Sequence, residues 1–424
     1  MSEANISNAA GLSDAEILRA LFDAALAAAL PNGKFEGRLP APPKGRTIVI
    51  GAGKASALMA QAFEAAWPHP CEGLVVTRYG HACPTRHIRI VEAAHPVPDA
   101  AGLDAAALIL ALARTAGPDD LVICLISGGA SALLTKPALG LTLADKQALN
   151  SALLKSGAPI SVMNKVRKAV SAVKGGRLAA AIAPARCVTY LISDVPGDDP
   201  AAIGSGPTIP EASDPQEVLA LMRAYGIEAS ARLQHVICTN TVTGEPLAGH
   251  EVHMLATPLM ALEAAQAKAR ALGLSSLILG DAIEGEAREA ATVFAGIARC
   301  AKSHGQPLQG PGVLLSGGET TVSVRGTGRG GRNVEFLLAL AVALKGEAGI
   351  CAIACDTDGV DGTQDNAGAW FDPNILAEAA LAGLSPADLL ANNDGYSFFS
   401  QLDRLVITGP TLTNVNDFRA ILIR

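Results

Sequence analysis

Short apolar runs in this chain repeatedly end, or nearly end, in glycine-rich segments, and this pattern restricts the fold more than any other feature. Five such segments stand out: Gly51-Ala52-Gly53-Lys54 after Ile48–Ile50, Ser127-Gly128-Gly129-Ala130-Ser131 after Val122–Ile126, Ser316-Gly317-Gly318-Glu319-Thr320 after Val313–Leu315, the run 326–333, and Asp356-Thr357-Asp358-Gly359 after Ile350–Cys355. A glycine has no Cβ, so such loops let backbone N–H groups approach an anion at the mouth of a parallel sheet. Two Ser-Gly-Gly loops, each after a buried-type strand, suggest two lobes facing one phosphorylated ligand.

The rest of the pattern agrees with that architecture. The 424 residues exceed one ordinary core, and a composition 50% hydrophobic but only 4% aromatic suits helices packed on a parallel sheet. Ser13-x-x-Glu16 is a capping box that opens a helix over 13–30, closed by Pro31-Asn32-Gly33, and this helix can pack on either lobe. Strand-like runs at 46–51, 73–77, 121–126 and 187–193 alternate with helical segments at 55–66, 100–115, 142–155 and 165–183. After a polar stretch at 241–250, strands are expected near 251–256, 274–279, 312–316, 321–325, 350–355 and 404–408, with helices at 257–272, 285–304, 332–345 and 374–382. The expectation is an α/β chain of two domains, 1–240 and 241–424.

Charge and cysteine usage exclude several classes. A formal charge of −7 argues against nucleic acid or an anionic membrane surface as the main partner. The N-terminus carries Asp14, Glu16 and Arg19 amid apolar residues, wrong for a signal peptide, and the apolar stretch 24–30 falls far short of a membrane span, so the expected compartment is the cytoplasm. The eight cysteines show no zinc-type pairs, and His250-x-x-His253 lacks the His-Glu-x-x-His pattern.

Several residues are candidates for chemistry. Gly51, Gly53 and Lys54 form a strand–Gly-x-Gly–helix turn that suits a phosphate by dipole and charge. It is not a P-loop, because its spacing fails, and not a complete dinucleotide fingerprint, because Ser56 replaces the third glycine and Arg78, not an acid, follows Thr77. Ser127, Gly128, Gly129 and Ser131 in one half, and Ser316, Gly317, Gly318, Glu319 and Thr320 in the other, are candidate phosphate or substrate contacts. At spacings of three and four, Arg167, Ser171 and Lys174 would share one face of a basic helix, with Lys174 facing an anion. Asp194 and Asp198 after one strand, and Asp356, Asp358 and Asp361 after another, sit where carboxylates can share a magnesium ion with substrate phosphates. Arg332 and Asn333 fall at a helix start, where an arginine fork matches phosphate or carboxylate oxygens. No Gly-x-Ser-x-Gly elbow is present, which removes the usual hydrolase reading.

Taken together, these segments resemble the class II glycerate kinases, whose C-terminal half is called the MOFRL domain. The resemblance runs through Gly-Ala-Gly-Lys-Ala-Ser at 51–56, Ala-His-Pro-Val-Pro-Asp at 94–99, Ser-Gly-Gly-Ala-Ser-Ala-Leu at 127–133, Lys-Gly-Gly-Arg-Leu-Ala at 174–179 and Ser-Asp-Val-Pro-Gly-Asp-Asp at 193–199. It continues through Gly-Ser-Gly-Pro-Thr at 204–208, Ser-Gly-Gly-Glu-Thr-Thr at 316–321, Gly-Arg-Asn-x-Glu at 331–335, Asp-Thr-Asp-Gly-x-Asp-Gly at 356–362 and Thr-Gly-Pro-Thr-x-Thr-Asn-Val at 408–415. It implies phosphorylation of D-glycerate to 2-phosphoglycerate with ATP and Mg2+, in a cleft between the Rossmann-like domain and the MOFRL-type domain. It also implies catalytic roles for Lys54 and Arg332. Members have carried the name hydroxypyruvate reductase, so an NAD(P)H-dependent reductase is the alternative, and a nucleotide-sensing protein without turnover is a third reading. A homodimer is left open.

Overall fold

The computed structural model describes residues 11–424, apart from Pro246 and the side chain of Ile160, so the first ten residues of the expected N-terminal domain lie outside it. The chain divides into two compact units: residues 31–255, and residues 256–424 together with the N-terminal segment through Leu30.

In the first unit, β1 (Thr47–Ala52), β2 (Glu72–Arg78), β3 (Ile88–Ala93), β4 (Leu121–Ser127), β5 (Arg186–Ile192) and β6 (His250–Ala256) form one sheet in the order β3-β2-β1-β4-β5-β6. Strands β1 to β5 are mutually parallel. Every residue of β1 and β4 is buried, as their unbroken apolar runs require of strands covered on both faces. Ile48, Ile50, Val122, Cys124 and Ile126 pack in one core with Ala106, Ile109 and Leu110 of the helix Ala100–Ala113. The order of the chain reverses between β1 and β4, and that switch point is where ligands bind in open α/β sheets.

The second unit has β7 (Ser275–Glu286), β8 (Gly312–Thr321), β9 (Ile350–Asp356), β10 (Gly368–Phe371), β11 (Leu405–Val406) and β12 (Asp417–Ile423), ordered β11-β10-β9-β12-β8-β7. Strand β12 runs antiparallel to both β8 and β9 and lies between them. The first residue of β12, Asp417, therefore pairs with Asp356, the last residue of β9. The N-terminal helix Asp14–Ala29 belongs to this unit: Phe22 packs on Phe418 at 5.8 Å between ring centroids, and Thr413 donates to the carbonyl of Ala29 at 2.8 Å.

Several expectations change. The units part at 255, not 240, because β6 joins the first sheet. The segment expected as one helix over 165–183 is two helices, Ile160–Ala169 and Arg177–Ile182, interrupted where Gly175 and Gly176 take positive φ. Strands β3, β10 and β12 were not expected, and no strand forms at 321–325 beyond the end of β8. No described helix is long and apolar enough to cross a membrane.

Candidate active site

In the first unit the glycine segments after β1 and β4 meet at the switch point. Gly53, at φ +137°, turns the chain so that Lys54 precedes the helix Ser56–Ala66. The Lys54 backbone is held on two sides: its N–H donates to Gly128 O at 2.8 Å, and its carbonyl accepts from Thr77 Oγ1 at 3.3 Å, with His81 Nδ1 at 3.4 Å. The side chain of Lys54 then lies against Gly129. A Cβ on Gly129 would stand 3.2 Å from Lys54 Cγ and 3.1 Å from the ring of His95, so the missing side chain lets a lysine and an imidazole flank one loop. A Cβ on Gly128 would collide with the carboxylate of Asp194, which follows β5. The switch point thus gathers Lys54, His95 and Asp194 around Gly128 and Gly129.

Other predicted contacts of this unit have structural partners. The Ser127 hydroxyl accepts the N–H of Ala55 at 3.0 Å and so fastens the start of the helix Ser56–Ala66 to β4. Gly51 sits inside β1, where a Cβ would strike the Leu125 backbone, so close strand approach accounts for it. Lys174 does not share a helix with Arg167 and Ser171. It is 1% exposed, and its ammonium donates to Ser131 O at 2.8 Å and lies 3.5 Å from Ser205 Oγ. The Ser131 and Ser205 hydroxyls bond each other at 2.5 Å. Asp198 lies in the turn Pro196–Asp198 that follows Asp194, with φ +53°.

The second unit carries a separate charged cluster. Its Ser-Gly-Gly segment is not a loop: Ser316 to Thr320 lie within β8, because β7 runs on to Glu286 and keeps pairing with them through two irregularities. Gly318, at φ +115°, faces the Ile283 backbone, which leaves no room for a Cβ. Strand pairing accounts for Gly318, and a Cβ on Gly317 would stand 3.3 Å from Asp417 O. Arg332, at the start of the helix Arg332–Leu344, contacts Asp417 Oδ1 at 2.7 Å, Asp356 Oδ2 at 2.8 Å and Glu319 Oε1 at 3.1 Å. Burial opposes its charge, but the three carboxylates outweigh that effect and raise its pKa.

Asn333 is fully buried and donates to Asp417 Oδ1 at 2.8 Å, which ties it into the interior of the cluster. Asp361 accepts the N–H groups of Asn333 and Val334 at 3.0 and 2.9 Å and caps that helix from a distant loop. Burial pushes the Asp361 pKa up to about 6 against those two bonds. Asp356 accepts from the Asp358 N–H at 2.9 Å, and Asp358 from the Val360 N–H at 2.9 Å. Among the described residues, no three His, Cys, Asp or Glu side chains are grouped as a metal cage.

Sequence reasoning missed His95, Asp417 and Arg419. His95 lay inside a quoted motif but received no role. Asp417 and Arg419 stand two apart on one face of β12, and the apolar run ending the chain was their available signal. Arg419, 1% exposed, binds Asp417 Oδ2 at 2.5 Å, Thr320 Oγ1 at 2.9 Å and Gly317 O at 3.2 Å, and lies 5.0 Å over the Phe336 ring.

Residues 312–417 match the MOFRL family, and residues 17–238 match a domain described as a domain of unknown function, DUF4147. The chain is 38% identical over 392 residues to the D-glycerate 2-kinase of Thermotoga maritima, covering 92% of this chain and 94% of that relative. This chain belongs to the glycerate kinase family with a MOFRL domain. A crystal structure of glycerate kinase from Thermotoga maritima superposes with a TM-score of 0.90 at 36% identity, over 97% of this chain and 99% of that one. Within this glycerate kinase family a relative from Agrobacterium vitis, 54% identical over 413 residues and covering 96% of this chain and 94% of itself, is provisionally named a hydroxypyruvate reductase.

Proposed function

We propose that this chain transfers the γ-phosphoryl group of ATP to the 2-hydroxyl of D-glycerate, giving 2-phosphoglycerate and ADP. The observation that carries the reading is the convergence of Lys54, His95 and Asp194 on Gly128 and Gly129 at the sheet's switch point. The relatives' names supply the acceptor; the site supplies the parts that phosphoryl transfer needs, which are positioning and positive charge more than covalent chemistry.

In this scheme the 2-hydroxyl oxygen attacks the γ-phosphorus, and the bond to the β–γ bridging oxygen breaks, leaving its electrons on ADP. Lys54, held by its backbone against Gly128, balances charge on the transferring oxygens. His95, whose ring also borders Gly129, takes the hydroxyl proton. Asp194 fits magnesium, since it is partly exposed, carries an acceptor carboxylate and abuts the loop; Asp198 follows it in the next turn. Asp356 and Asp358 are set aside as ligands, because Arg332 and the Asp358 N–H already hold the carboxylate of Asp356 and the Val360 N–H that of Asp358. When bound, magnesium supplies neutralisation of the phosphate oxygens.

The reductase alternative is weaker on the chain's own residues. Where a dinucleotide turn has its third glycine, Ser56 is buried and donates to Leu125 O at 3.0 Å, and no acid ends β2 to hold a ribose. Purified protein is assayed with D-glycerate and Mg-ATP, and separately with hydroxypyruvate and NADH or NADPH. ATP-dependent 2-phosphoglycerate, abolished by EDTA, is the expected result. Oxidation of the reduced cofactor with no phosphorylated product overturns the proposal.

A further inference from the structure

The first unit contains a cavity of about 520 Å³ beside the 128–131 loop that the scheme above leaves without a ligand. The helix Leu143–Lys155 forms much of its wall. Lys146, Leu149, Asn150 and Leu153 recur at spacings of three and four, so one face of that helix turns both a cation and an apolar stripe to the same space. Arg167 and Val170, at the end of the helix Ile160–Ala169, and Lys174 supply further wall.

Lys146 and Lys174 are buried here and Arg167 is half-buried, all without acidic partners among the described residues. Lys146 is 8% exposed and donates to Thr135 Oγ1 at 3.0 Å; Arg167 donates to Asn150 Oδ1 at 2.8 Å; Lys174 donates to Ser131 O at 2.8 Å. Each of these acceptors is neutral, and among the described residues none of the three forms an ion pair with a carboxylate. Burial, with Arg167 nearby, brings the Lys146 pKa down to about 8; burial, with Lys146, Arg167 and Lys168, lowers that of Lys174 well below its usual value. Buried positive charge of this kind is costly without a counter-charge, and a bound anion supplies one.

We infer that this cavity receives the adenine nucleotide, its base among Leu149, Leu153 and Val170 and its phosphates at Lys146, Arg167 and Lys174. The inference rests on the kinase reading and names the seat of one of its two substrates. A three-carbon hydroxy acid has no use for so large a space or for leucine walls. A nucleotide has an apolar ring for one part of the cavity and several anionic oxygens for the other, and the volume falls within the range of small-molecule sites. Gly129 and His95 also line the cavity, so its wall is continuous with the loop against which Lys54 packs.

The test joins photolabelling with 8-azido-ATP, followed by mapping of the labelled peptide in the unmodified protein, to calorimetric titration of ADP into the unmodified protein and Lys146→Gln. Label within 143–155 or 160–170, and a loss of ADP affinity in the variant of about tenfold or more with the KM for D-glycerate changed less than about twofold, support the inference. Label on any other segment, an unchanged ADP affinity in Lys146→Gln, or a rise in the D-glycerate KM alone overturns it. The mapping stands even if the variant fails to fold. Failure of the kinase reading shows separately, as unmodified protein that forms no phosphoglycerate from Mg-ATP and D-glycerate.

Discussion

Arg332 and Asp417 are joined by an Nε–Oδ1 bond of 2.7 Å, and the Asp417 side chain is wholly buried although it begins a strand. Its other oxygen binds Arg419 at 2.5 Å, so one carboxylate balances two guanidinium groups. Asp417→Asn removes that balance and leaves Arg419 charged in the interior. The expected cost is about 3 kcal/mol of stability, read as a lower urea midpoint with an unchanged slope. A loss below about 1 kcal/mol would show that the pairing contributes little. Arg332→Lys, which keeps the charge but not three separate contacts, should lose part of the same stability.

Lys54→Ala isolates chemistry from folding. The lysine is partly exposed, and its backbone bonds to Gly128 and Thr77 survive the change, so stability should move by about 0.5 kcal/mol or less. Turnover should fall by about a thousandfold, since the charge acts on the transferring phosphoryl group. Steady-state kinetics beside thermal unfolding of the same preparation decide it; near-normal turnover returns Lys54 to an ordinary surface role.

Gly128→Ala tests the contact with Asp194. The new methyl collides with the carboxylate, and the expected result is a loss of about 1–3 kcal/mol together with most of the activity. Adding Asp194→Gly removes the obstacle. Stability should then recover while activity does not, because the candidate magnesium ligand is gone. Recovery of both would free Asp194 of any role in turnover.

Asp361 gives a pH dependence whose sign follows from its raised pKa. Its carboxyl titrates at about 6 in the folded chain against 3.8 for the ordinary group, so between those values the folded state holds more protons than the unfolded one. Stability from this group is therefore highest below about pH 4, falls as pH rises towards 6, and is level above. The difference in unfolding free energy between the natural protein and Asp361→Asn should decline by on the order of 3 kcal/mol across that window. A difference that stays constant from pH 4 to 7 excludes the shift.

The sequence by itself determined the α/β class and the Lys54 turn, because those depend on local periodicity and on glycine beside apolar runs. Lys54 was legible in this way: a lysine directly after Gly-x-Gly and a buried strand has few other places to go. The tertiary structure decided which glycines make loops. Ser127-Gly128-Gly129 and Ser316-Gly317-Gly318 read alike, yet the first ends a strand while the second continues one, since only β7 extends far enough to keep pairing with it. It also decided the partners of Arg332 and the burial of Lys146 and Lys174. Asp417 reaches Arg332 across 85 residues because β12 inserts antiparallel between β8 and β9, a pairing that leaves no mark in local spacing. A lysine on an amphipathic helix looks solvated until the neighbouring segments that bury it are in place, so the cationic cavity could be found only in the folded chain.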